Sequence, residues 1–136
     1  MSSISTIALS GMNAAARRLD VSASNVANVM STGALPNADG TVPAGAPRAY
    51  APLELVQTAS AGGGTQTTVT TATPSTTAVF DPQAPFANQN GLVAAPNVDL
   101  SQEMVGQMIA SYSFAANATV MKADDRITKT LLNMTA

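Results

Sequence analysis

The sequence has 136 residues, a net charge of −2 and a charged fraction of only 10%. It is long enough for one small domain, and the surface of that domain would carry few charged groups. It contains no Cys, which excludes disulfides and thiolate metal sites, and no His, which removes the commonest general base and metal ligand. We therefore predict a protein that is not an enzyme and has no cofactor, metal, small-molecule substrate or nucleic-acid partner.

The low charged fraction also indicates in which surroundings the folded chain is stable. An ordinary soluble domain has about 25% charged residues, whereas this sequence is rich in Ala, Thr, Ser and Asn. A surface of these residues costs less to desolvate than one of Lys and Glu. The composition therefore favours a chain that ends up surrounded by neighbours.

The first predicted element is a helix within residues 1–32. This segment contains no Pro and a single Gly, and its apolar residues recur alternately three and four apart. Such a seven-residue repeat keeps one face against a partner helix. Residues 31–33 supply a stop, with Gly33 able to take the left-handed conformation. The stripe consists of Leu9, Met12, Ala16, Leu19, Ala23, Val26 and Met30.

The middle segment, residues 33–96, holds all eight Pro residues and reads as loops with short strands. Residues 50–58, 66–73 and 77–80 contain residues that favour strands. The pair Asn90-Gly91 predicts a tight turn.

The last predicted element is a helix within residues 97–136, which again lack Pro. Asp99 is its predicted N-cap. Its apolar stripe repeats every eleven residues, or about 3.67 residues per turn, which favours a straight or slightly right-handed course. The stripe consists of Val105, Ile109, Tyr112, Ala116, Val120, Ala123, Ile127, Leu131 and Met134. The predicted fold is therefore mainly α, with long N- and C-terminal helices pairing as a coiled-coil-like core around a small irregular or β insert.

Two stretches resemble a known family. Residues 18–28 read RLDVSASNVAN, and an A-S-N-x-A-N run in the first helix is similar to the signature of the flagellar rod and hook proteins. Residues 79–105 read VFDPQAPFANQNGLVAAPNVDLSQEMV, which resembles the proximal members of the flagellar basal-body rod protein family.

The resemblance implies a structural subunit of the proximal rod, the helical drive shaft that transmits torque from the membrane ring to the hook. It implies terminal helices that line a tubular core, and export by the flagellar type III apparatus without a cleaved signal peptide. The expected location is the periplasmic rod of the basal body. The expected partners are other copies of the chain, other rod proteins, and membrane-ring and export-gate proteins at the rod base.

Asn25 and Asn28 lie within the first motif. A polar residue in a helical seam can fix its register through interhelical hydrogen bonds, so we predict an interface role; the alternative is two solvated positions. The full predicted subunit interface is Leu9, Met12, Leu19, Asn25, Val26, Asn28, Val105, Ile109, Tyr112, Ala116, Val120, Ile127, Leu131 and Met134.

Two alternatives remain open from the sequence. One is another axial protein of the same system, such as the B-type rod subunit. The P-N-V-D and E-M-V series argues against this alternative. The other is a soluble helical-hairpin binding module or secreted effector. A stable helical monomer in solution would favour this second alternative.

We expect the purified monomer to show low helicity and rapid proteolysis at both ends. A pair of helices covers only one side of each stripe, so the terminal segments gain most of their stability from lateral packing with other subunits. Circular dichroism and limited proteolysis measure this. A cooperative thermal transition with helical content near half the chain would contradict the prediction.

Overall fold

The computed structural model describes residues 3–37 and 39–135. It confirms a fold with two long terminal helices and a small antiparallel insert between them. The elements are helix α1 (Ser3–Ala27), strands β1 (Leu53–Ala59), β2 (Thr65–Thr71), β3 (Thr76–Phe80) and β4 (Leu92–Pro96), and helix α2 (Leu100–Thr135).

The chain divides into two compact units. We call Met1–Val21, Leu55–Val69 and Met104–Ala136 the helical unit, and Ser22–Glu54 with Thr70–Glu103 the strand unit. Each unit draws on separate stretches of sequence, so both helices contribute residues to both units.

In the helical unit, α1 and α2 run antiparallel. The Ser5 hydroxyl donates a hydrogen bond to Asp124 Oδ2, and Gly11 lies against Asn117, so residue numbers rise along one helix as they fall along the other. Strands β1 and β2 form a two-stranded sheet. The amide of Thr65, at the start of β2, donates to Ser10 Oγ on α1 over 3.1 Å, which holds the hairpin against that helix.

In the strand unit, β3 pairs with β4 in antiparallel register, with Val79 opposite Val93 and Phe80 opposite Leu92. Val93 and Ala94 of β4 are 1% exposed and form part of the core together with Ala34. The loop before β4 ends in a turn in which Gly91 has a φ of +71° and its amide donates to the Asn88 carbonyl. This turn contains the predicted Asn90-Gly91 pair.

The three stretches with strand-favouring residues overlap β1, β2 and β3, each of which extends one residue beyond its predicted stretch, whereas β4 was not predicted as a strand. Helix α2 begins at Leu100, where Asp99 Oδ1 accepts hydrogen bonds from the amides of Ser101 and Gln102 at 2.8 and 3.1 Å. These bonds satisfy two of the amides that a helix start leaves without a partner.

Gly33 does not adopt the left-handed conformation that was open to it as a helix stop, since the glycines with positive φ among the described residues do not include it. Gly33 instead forms an isolated antiparallel bridge with Ala94. A Cβ at this position would lie 2.6 Å from the Pro47 carbonyl oxygen and would also collide with the backbone of Arg48 and Ala49. Glycine is therefore required by close backbone approach.

We expect Gly33→Ala to lower the free energy of unfolding by about 1–3 kcal/mol, the usual cost of forcing extra atoms into a packed site. Here the colliding atoms belong to backbone and cannot rotate away. Gly62→Ala is the control, because a Cβ there meets nothing within 4 Å and φ is not positive. Chemical denaturation measures both, and equal midpoints for the two variants would refute the close-approach explanation.

Candidate subunit interface

The face that α1 turns toward α2 in the helical unit is made of small residues. Ala8, Ala14 and Ala15 are buried on α1, and Ala110 is buried on α2. Because interaxial distance depends on the side chains at the contact, small residues allow the helices to lie close together. The two helices therefore meet through methyl groups and backbone, without using their larger apolar side chains.

Gly11 is the tightest point of this contact. A Cβ on Gly11 would lie 2.6–2.7 Å from the side-chain amide atoms of Asn117. Asn117 itself donates to the Ser113 carbonyl over 2.8 Å, which orients its amide along α2. Gly11 thus makes room for a polar side chain at the helix contact.

Asp124 is buried on the same face of α2, where it accepts the hydrogen bond from Ser5. The sequence pattern placed Asp124 off the apolar stripe and attached no role to it. Burying a carboxylate is costly unless it is paired or hydrogen-bonded. Asp124 and Gly11 are among the residues of this contact that apolar periodicity misses.

A signal for this face does exist in the sequence. On α1, the buried residues Ala8, Ala15 and Ser22 are seven apart, and on α2 Glu103, Ala110, Asn117 and Asp124 are also seven apart and at least half-buried. A seven-residue repeat marks a continuous helical face. The predicted α1 stripe lies one residue later, rotated by about 100° around the helix axis, so a search for large apolar residues finds the neighbouring face.

Asn25 is the centre of a hydrogen-bond network in the strand unit, where it is 2% exposed. Its amide nitrogen donates to the Leu53 carbonyl (2.9 Å) and to Glu103 Oε1 (2.6 Å). Its amide oxygen accepts from the Leu53 amide (2.9 Å) and the Tyr50 hydroxyl (3.1 Å). One side chain therefore joins the end of α1 to the start of β1 and to the first turn of α2.

The hydrogen bond from Asn25 on α1 to Glu103 on α2 joins two helices of the same chain. Asn28, the second motif residue, is half-buried and donates to the Ser24 carbonyl of its own helix over 2.9 Å. The two asparagines of the motif therefore have different surroundings, and a contact of either with another subunit stays a prediction.

The larger predicted interface residues point away from the chain's own core. On α2, Ala116 is exposed, and the bulky members of the stripe are 45–77% exposed: Val105, Ile109, Tyr112, Val120, Ile127, Leu131 and Met134. On α1, Leu9 is exposed, and Met12, Leu19 and Val26 are half-buried. Met104 and Met108 extend the exposed apolar surface of α2. Large exposed apolar surfaces are typical of interaction sites, and a contact of this stripe with other subunits stays a prediction.

The helical unit also holds a cavity of about 260 Å³. Its lining includes Ala14, Thr65 and Asn117, and Arg18 is its only ionisable side chain. No group of three potential metal-ligating side chains occurs within residues 3–37 and 39–135. Neither helix, over the part of the chain that the structure describes, is long and apolar enough to cross a membrane.

Comparison with known proteins finds two family models, which match the two ends of the chain. The model described as "Flagella basal body rod protein" matches residues 6–34. The model described as "Flagellar basal body rod FlgEFG protein C-terminal" matches residues 89–134. The first covers most of α1 and the second β4 and nearly all of α2.

Curated relatives match over most of the chain. The flagellar basal-body rod protein FlgC of Salmonella typhimurium (strain LT2) is 36% identical over 115 residues, covering 85% of this chain and 83% of that protein. FlgC of Buchnera aphidicola is 33% identical over 129 residues, covering 94% and 93%. The flagellar hook protein FlgE of Escherichia coli (strain K12) is 42% identical over 45 residues, which is 33% of this chain and 11% of that protein.

We expect Asn25→Ala to destabilise the strand unit, because the Leu53 amide and carbonyl would lose a buried partner. Leaving a buried polar group unsatisfied costs about 1–3 kcal/mol. Denaturant unfolding followed by Tyr fluorescence measures the change, since Tyr50 is bonded to Asn25. Asn28→Ala is the matched control from the same motif, and an equal loss in the two variants would contradict the special role of Asn25.

Proposed function

The chain belongs to the FlgC family of flagellar basal-body rod proteins and is a structural subunit of the rod, and from this premise we propose that its exposed α2 face is the surface that packs against neighbouring subunits. The family consists of structural proteins of bacterial motility, not enzymes, and the chain's place is the flagellar basal body. Its partners are other flagellar axial proteins.

The observation that carries this proposal is the outward position of the large apolar residues of α2. In an ordinary globular protein such residues form the core, yet Ile109, Ile127 and Leu131 are each at least half exposed. The neighbouring face of α2, rotated by about 100°, is already covered by the small residues of α1 in the helical unit. Burial of the exposed face therefore requires another molecule.

The different periods of the two stripes support a contact with several neighbours. The α1 stripe repeats every seven residues and the α2 stripe every eleven, so the two drift in opposite directions around their helices. Two such stripes cannot share one seam over their whole length. We propose that α1 and α2 pair as a coiled-coil-like core and present their stripes to helices of adjacent subunits in a tube.

We further propose that the immediate partners are copies of this chain and other rod proteins, with membrane-ring and export-gate proteins at the rod base. The assembled rod would lie in the periplasmic part of the basal body and transmit torque from the membrane ring to the hook. Export through the flagellar type III apparatus would deliver the subunit to that place. These steps rest on the family and on the open apolar face.

We expect Ile127→Asp to abolish rod assembly and swimming while the variant accumulates normally in the cytoplasm. An unpaired charge in a tightly packed interface costs several kcal/mol of desolvation. Ile127 is 57% exposed in the single chain, so the substitution leaves the chain's own fold intact. Motility in soft agar and electron microscopy of purified basal bodies provide the measurements.

Asp125→Ala is the control, because Asp125 is exposed and lies two residues away on the same helix. Asp125 and Lys129 are oppositely charged, exposed and four residues apart on the helix. Exposed ion pairs contribute little to stability, so we expect near-normal swimming. Normal swimming of the Ile127→Asp variant would refute the interface proposal.

A further inference from the structure

Charge is distributed unequally between the two units. The helical unit contains five of the six basic residues and three acidic ones, whereas the strand unit contains five acidic residues and a single basic one, Arg48. The chain as a whole is weakly acidic. Its two units therefore carry net charges of opposite sign.

Three of the basic residues form one exposed row on α2, which we call the basic stripe. Lys122, Arg126 and Lys129 follow one another at intervals of four and three, so they lie on one side of the helix, and all three are exposed. Cations near a helix C-terminus often interact with its macrodipole, but the last turn of α2 contains no basic residue. The row is thus not explained by the helix end.

The strand unit presents the complementary charge. Asp39, Glu54, Asp81 and Asp99 are all exposed, and Glu103 is committed to the bond with Asn25. The chain as a whole carries a net charge of −2, which disfavours a nucleic acid or an anionic membrane as the partner of the stripe. The strand unit of a second copy carries exposed carboxylates of the required sign.

We propose that the basic stripe of one subunit docks on the acidic strand unit of a second copy. This rests on the proposed function and specifies which surfaces of two copies meet. Such a contact is heterologous, because different patches of the two molecules take part, and heterologous contacts generate rings or open helices. Charge complementarity fixes the pairing of the two surfaces.

A charge-exchange experiment in full-length protein tests this contact. The first variant carries Lys122→Glu, Arg126→Glu and Lys129→Glu, and the second carries Glu54→Lys and Asp81→Lys. Asp99 and Asp39 are left unchanged because their side chains accept backbone amide bonds of 2.8 and 2.9 Å, shorter than the 3.3 Å bond from the Gln83 amide to Asp81 Oδ1. In cells that lack the native subunit, we expect each variant alone to lose swimming. We expect the two variants together to regain it, because the acidic stripe of the first then meets the basic strand unit of the second, and the basic stripe of the second meets the acidic strand unit of the first.

Arg17→Glu is the matched control, an exposed cation of the helical unit outside the basic stripe, and we expect it to swim. Immunoblots of cells and of exported protein establish that each variant is made. Normal swimming of either variant alone, or failure of the co-expressed pair to regain swimming, would overturn the proposal. Failure of the pair is also the result expected if another protein or an anionic lipid occupies the stripe.

A second measurement does not depend on variants. Carbodiimide treatment of basal bodies built from mixed isotope-labelled and unlabelled subunits should join the Lys122 or Lys129 amine to a strand-unit carboxylate of a differently labelled copy. Cross-links between copies that never include the stripe would overturn the inference. The proposed function would still stand in that case if Ile127→Asp abolishes the rod, so the two failures are distinguishable.

Discussion

A side chain larger than hydrogen at residue 11 would collide with Asn117, and this close approach of α1 and α2 limits the size of the residues that fit between the two helices. The shared face of the helical unit has room only for alanine and for small hydrogen-bonded polar groups. The bulky residues of α2 are consequently displaced to the outside. A globular protein buries its largest apolar groups first, whereas in this chain Ile109, Ile127 and Leu131 stay at least half exposed.

In the strand unit the organising group is polar. Asn25 donates and accepts four hydrogen bonds, and three of them go to two residues, Tyr50 and Leu53, that precede or begin β1. The fourth reaches Glu103 in α2. Asparagine suits this place because its amide offers a donor and an acceptor on one planar group. Neither an aspartate nor a leucine of similar size could satisfy both the amide and the carbonyl of Leu53.

Much of the architecture could be predicted because it depends on local signals. The absence of Pro defined both helices, and the Asn90-Gly91 turn lies next to β4 as its chemistry requires. The inner helix face was missed because Ala8, Ala15 and Asp124 are small or charged, and an apolar-periodicity search discounts them. The role of Gly33 depends on Arg48 and Ala49, which approach it only in the folded chain. Contacts between residues that are far apart in the sequence produce no periodic pattern of residue types.

The turns of the insert bear on how such a subunit could change in size. At Gly40, Gly45 and Gly62 an added Cβ would meet nothing within 4 Å, so the chain there is open to its surroundings. Loops of this kind tolerate additional sequence at small entropic cost. Extra domains grafted at these positions would leave the helix face of Ala8, Gly11 and Ala110 untouched. Insertion at these turns could thus enlarge the segment between the two helices while α1 and α2 keep the same contacts.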